Sequence, residues 1–174
     1  MAKVSFTKLG LKVNQDIKTI EFNGQSIEVK QYLPVNNKLE LISNVINLAH
    51  DENNFANPVK ISVFTTLEII YAYTNINFTD KQKEDPTKLY DMLISSGLVT
   101  AVVNVIPETE YHEIMRGVSD SIDAIYTYRN SVMGILDTVS TDYSALNFDA
   151  TEIQKKIGDP ENMALLKQVL TKLG

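Results

Sequence analysis

The sequence predicts an α+β, predominantly α-helical chain: an N-terminal β-hairpin followed by a helical bundle with one long helix. Three observations carry this. Asn23-Gly24 separates two short runs of alternating apolar residues, apolar side chains recur at helical spacing from Pro34 onward, and a stripe of nine positions from Tyr111 to Val139 alternates steps of four and three residues. The 174 residues suffice for one domain with a real core, 1–174. Within it fall an arm and hairpin (1–33), a helical core (34–146) and C-terminal helices (147–174).

Residues 1–16 read as a further strand over Val4 and Phe6 or as an extended arm, because Gly10 and Asn14-Gln15-Asp16 interrupt the pattern. In the hairpin, Ile20/Phe22 and Ile27/Val29 alternate on either side of Asn23-Gly24, a pair suited to the two positive φ values of a type I′ turn. Leu39, Ile42, Val45, Ile46 and Ala49 then define one helical face, with Asn37 and Glu40 as its start box. After a polar loop from Asp51 to Pro58, the segment Val59–Thr74 carries Val63, Leu67, Ile70 and Tyr73/Thr74 at helical spacing, although Val59, Ile61 and Val63 also alternate as a strand would.

Thr79 with Gln82 forms a capping box, Asp85-Pro86 opens a helix over Leu89, Met92 and Leu93, and Gly97 closes it. The apolar run from Leu98 to Ile106 fits a buried helix slightly better than a lone strand. Pro107 opens the long helix, with Glu108, Glu110 and Glu113 near the positive end of its dipole. Unbroken to Ser140 it would measure about 50 Å. Gly117 and Gly134 are its weak points, each costing about 1 kcal/mol relative to Ala. Asp149 with Glu152 is one start box, Gly158 is a stop, and Asp159-Pro160-Glu161 starts a fresh helix with Met163, Leu166, Leu170 and Leu173 on one side.

Composition narrows the function classes. A formal net charge of -6 with only Arg116 and Arg129 as arginines argues against general nucleic-acid binding, which needs concentrated cations facing phosphate. The lack of cysteine excludes disulfides, thiolate catalysis and thiolate metal sites. No run approaches the roughly 18 apolar residues of a membrane span, and the start, Met1-Ala-Lys-Val-Ser, lacks a signal-peptide core; the expectation is a soluble, unexported protein without membrane contact.

Little in the chain points to catalysis. His50 and His112 read as cap or surface residues; His112-Glu113 would need a second histidine where Arg116 stands. Asp120 and Asp123 read as a solvated helix face, and Asp51-Glu52-Asn53-Asn54 lacks the glycine and distal glutamate of a calcium loop. The expectation is a non-enzyme with no catalytic residue, cofactor or metal. Binding is the alternative, and the stripe of Tyr111, Met115, Val118, Ile122, Ile125, Arg129, Val132, Leu136 and Val139 suggests packing along a helix. Arg129, its one charged member, is either paired or snorkelling within the fold or facing a partner chain. Tyr126, Met133, Leu166, Leu170 and Leu173 complete the candidate interaction residues, while Tyr71, Tyr73, Tyr126 and Tyr128 read as core margin or groove lining.

With the hairpin, the run of helices and the segments LEIIYAYTNINFTDKQKEDPTKLYDML, YRNSVMGIL and DPENMALLKQVLTKLG, the whole chain resembles small proteins encoded by tailed phages and prophages of low-GC Gram-positive bacteria. The resemblance is one of overall style, carried by no residue-level motif. Among such proteins it is similar to tail-assembly chaperones and other morphogenesis or head–tail components. It implies a protein-binding role in building or joining a virion, partners among other phage proteins or a second copy of the chain, and a place in the host cytoplasm or the virion. The alternative is an acidic phage protein that binds and inhibits a host factor.

Overall fold

Asn23 and Gly24 take φ values of 50° and 74°, and around them β1 (Ile17–Phe22) and β2 (Gln25–Lys30) pair antiparallel from Phe22↔Gln25 to Ile17↔Lys30. This is the type I′ hairpin that Asn-Gly favours. The computed structural model describes residues 3–51 and 55–136. The chain divides into two units, Met1–Tyr126 and Thr127–Gly174. Val139 and the expected C-terminal helices, with Leu166, Leu170 and Leu173, lie outside the described residues.

The hairpin is fastened through β2. Ile27 and Val29 are buried on one face, and Val29 bridges Thr74. Glu28 donates its N–H to Asn75 Oδ1 at 3.0 Å and accepts the Asn75 N–H at 3.3 Å. Before β1 the chain is an arm, with a single 3₁₀ turn at Phe6–Leu9 and a left-handed Gly10.

Among the described residues the hairpin is followed by α1 (Val35–Ala49), α2 (Pro58–Tyr73), α3 (Asp80–Lys83), α4 (Pro86–Ser95), α5 (Leu98–Val103) and α6 (Glu108–Arg129). Local chemistry accounts for most of their ends. Thr79 and Gln82 form the expected capping box, Asp85 accepts the Lys88 N–H ahead of Pro86, and Gly97 takes the left-handed conformation between α4 and α5. Asn57 accepts the N–H groups of Val59 and Lys60 with Pro58 in the first turn, so 58–73 is helical from its first residue and the strand-like alternation at Val59 is overridden. Asn57→Ala is expected to lower stability by about 1 kcal/mol, read as a fall in the urea midpoint at unchanged slope.

Helix α1 begins earlier than its expected Asn37–Glu40 box. The amides of Asn37 and Lys38 already bond to the Pro34 carbonyl, so the backbone is helical before Asn37 could act as a cap.

The core of the first unit joins Val29, Leu33, Leu41, Val45, Leu67, Ile70, Tyr73, Val102 and Ile114, all nearly inaccessible. Helices α1 and α2 pack on each other, α4 and α5 pack on α2, and α5 also lies against β1.

Two faces differ from the sequence pattern, and in the same sense. On α1 the buried positions are Lys38, Leu41, Val45 and Ala49, while Leu39 is 60 % exposed. On α6 they are Glu110, Ile114 and Val118; Tyr111, Ile122 and Ile125 are half-buried and Met115 is exposed. Each face is turned by about one residue because a charged side chain, Lys38 or Glu110, occupies a core position.

The stripe also ends early. Helix α6 stops at Arg129, and residues 132–136 form a separate helical segment in which Val132 and Leu136 are exposed. Gly117 lies inside the unbroken helix, and the break falls just ahead of Gly134, at Ser131. Its N–H and hydroxyl both donate to the Tyr128 carbonyl, and its Oγ accepts the Gly134 N–H at 3.1 Å as a cap for the next turn. Gly134 is needed for close approach, since a Cβ there would lie 2.2 Å from the Tyr128 carbonyl oxygen. Gly117 sits within α6, where a Cβ would meet Ile42 Cδ1 at 2.5 Å.

Candidate functional site

Glu110 is buried in the first turn of α6, and every oxygen of its carboxylate is engaged. Oε1 accepts from Lys38 Nζ at 2.9 Å; Oε2 accepts from the Tyr73 hydroxyl at 3.0 Å and from the Leu33 N–H at 3.1 Å. The Lys38 ammonium also donates to Glu113 Oε2 at 2.6 Å and lies 4.8 Å from the Tyr32 ring centroid. One carboxylate thus ties together the β2–α1 connection, α1, α2 and α6. The Lys38 and Glu110 side chains retain 7 % and 10 % of their accessible surface, so the pair is desolvated and its partners compensate.

The titrations follow from that packing. Burial pulls the Lys38 ammonium down, but its bonds to Glu113 and Glu110 and their charges outweigh this and leave it raised above 10.5. Burial first, then the charge and hydrogen bond of Glu110, push the Tyr73 phenol far above its usual 10. For both groups the folded pKa exceeds the unfolded one. Their contributions are therefore complete below about pH 10 and are lost as the pH rises through the folded values. Tyr73→Phe is expected to cost about 1 kcal/mol at pH 7. The gap from the unaltered protein should narrow above about pH 10, because there the Tyr73 phenol ionises in the unfolded chain but not in the folded one, and the Phe variant has no phenol to ionise. Urea titrations at the two pH values check this.

Glu68 marks a second polar place, between α1 and α2. Burial raises its carboxyl pKa, while the hydrogen bond that Asn44 donates at 3.1 Å opposes the rise.

Of the expected interaction residues, Tyr126, Arg129 and Met133 lie among the described residues. Tyr126 is half-buried, accepts the Ala56 N–H at 3.2 Å and meets the Phe55 ring edge-on at 6.0 Å, which makes it a packing residue with a used hydroxyl. Arg129 is half-buried in the last turn of α6. Met133 is exposed, as are its neighbours Val132, Ile135 and Leu136. His50 sits at the C-terminal end of α1 with Nδ1 against the Ile46 carbonyl, and His112 lies 3.3 Å from Glu108 on the surface of α6. These are the cap and surface positions expected of them. Asp120 and Asp123 are exposed, and no group of three metal-ligating side chains occurs among the described residues.

The exposed apolar surface is where the sequence pattern and the fold diverge most. In the arm, Val4, Phe6, Leu9, Leu11 and Val13 are all more than half exposed, Phe6 at 75 %. A shallow groove of about 270 Å³ between α1 and α6 collects Val35, Leu39 and Ile42 beside Arg116 and Asp120, a consequence of the turned face of α1. Alternation at Val4/Phe6 and at Leu11/Val13 was the available signal for the arm; nothing in it distinguished a paired strand from an unpaired one.

No protein-family model matches the chain, and comparison with characterised proteins and with solved structures finds no match. Among the described residues no helix is long and apolar enough to cross a membrane.

Proposed function

We propose that this chain is a non-enzymatic assembly protein of a tailed phage, working in the host cytoplasm by binding other virion proteins during tail assembly or head–tail joining. The observation that carries the reading is the arm of residues 3–16, whose five apolar side chains face solvent. Exposed apolar surface grouped in one segment is characteristic of a binding element. The central charged network supports the same reading, because Glu110, Lys38 and Tyr73 are spent on one another and pin four elements together. The whole-chain resemblance to phage morphogenesis proteins supplies the class of partner.

Co-expression with phage tail and capsid proteins tests the reading. The expected result is stoichiometric co-elution with one identified virion component. Elution free of all of them overturns it.

A further inference from the structure

The geometry points to the outer edge of β1 as the place where a second copy of this chain pairs antiparallel about a two-fold axis at Ile17, the arm of each copy running along the β1 of the other.

The free edge follows from hairpin parity. A two-residue turn makes Phe22 and Gln25 a hydrogen-bonded pair, so Ile20 and Lys18 also exchange bonds with β2; the Gln31 N–H reaching the Asp16 carbonyl at 2.9 Å continues the series. Ile17, Thr19 and Glu21 therefore send their N–H and C=O groups outward. Among the described residues no hydrogen bond answers them, and all three side chains are exposed. Ahead of β1 the Asp16 N–H is held by Asn14 Oδ1 at 2.7 Å, and the pairing carries this edge on through Gln15 when the arm lies extended along the partner strand. An open edge beginning at an exposed isoleucine is a template for another strand.

Charge selects the occupant and the register. With the axis at Ile17, Asp16 of each copy stands opposite Lys18 of the other in close, non-hydrogen-bonded pairs, and Gln15 stands opposite Thr19. Ile17 meets its own counterpart on the outward face, with Val13 and Leu11 on the same side further along each arm. An axis at Lys18 would set lysine against lysine. An axis at Thr19 would leave Lys18 opposite Ile20 and Glu21 opposite Ile17. Of these three registers only that at Ile17 sets Asp16 against Lys18, twice because the strand meets itself, while Glu21 falls opposite Val13.

Sedimentation equilibrium of the full chain at low salt tests this. Reversible dimerisation is expected in the micromolar range. Asp16→Lys and Lys18→Asp, each placing like charges opposite, should each weaken it about tenfold, and the double variant should restore it. Thr19→Pro removes one outward N–H, is tolerated at a strand edge, and should leave a monomer with the native unfolding midpoint. A wild type that stays monomeric, or a dimer indifferent to the single charge variants, overturns the pairing; so does protection of the β1 edge from hydrogen exchange only when a virion protein is bound. The inference does not rest on the virion reading. A monomer that captures a virion protein overturns the pairing alone, and a dimer that captures none overturns that reading alone.

Discussion

Glu110→Ala is expected to lower the unfolding free energy by about 3 kcal/mol, read from urea or thermal unfolding at pH 7. The change leaves the Tyr73 hydroxyl and the Leu33 N–H without their shared acceptor, and it takes from the buried Lys38 ammonium its more enclosed partner. The loss stays at the lower end of the range for broken buried pairs because Lys38 keeps Glu113, whose side chain is half exposed. The origin of the loss can be separated from simple truncation. Combining Glu110→Leu with Lys38→Met removes both charges and fills similar volume, so the double variant should be more stable than the sum of the two single losses predicts. Strict additivity would mean that Glu110 and Lys38 do not act as a pair.

Leu41→Ala should cost about 3 kcal/mol, whereas Leu39→Ala should change stability by less than about 0.5 kcal/mol. Leu41 is 2 % exposed and sits in the core beside Val45; Leu39, two positions earlier on the same helix, faces outward. A sequence stripe through Leu39, Ile42, Val45, Ile46 and Ala49 predicts the reverse order. Unfolding midpoints of the two variants decide between the faces.

What the sequence made legible was chemistry acting within a few residues. Asn23-Gly24 specified the hairpin, Thr79 with Gln82 the short α3, and Asp85-Pro86 and Gly97 the two ends of α4. Stripe reading failed where a long-range pair replaced apolar residues in the core. Lys38 and Glu110 are 72 positions apart, and each alone looks like a solvated charge. Only their meeting makes burial tolerable, and it turns both helices by about one residue. The hub of the fold is therefore invisible in the sequence, where Glu110 shows only its place near a helix start.

The break in the long helix shows the same limit. Gly117 is accommodated at about the usual helix-interior cost, while at the break Ser131 bonds the Tyr128 carbonyl and Gly134 serves the contact that follows. Of the candidate interaction residues, Tyr126 is engaged in packing and Met133 is exposed, while the arm shows in the sequence only its alternation.

On the proposed function the exposed apolar arm is the surface that binds the partner. Replacing Val4, Phe6 and Leu9 together by serine and comparing capture of the co-expressed virion partner with that of the unaltered chain tests it most directly. These side chains are exposed, so the unfolding midpoint should not move, while capture should fall to background. Undiminished capture by a variant of equal stability would contradict the account.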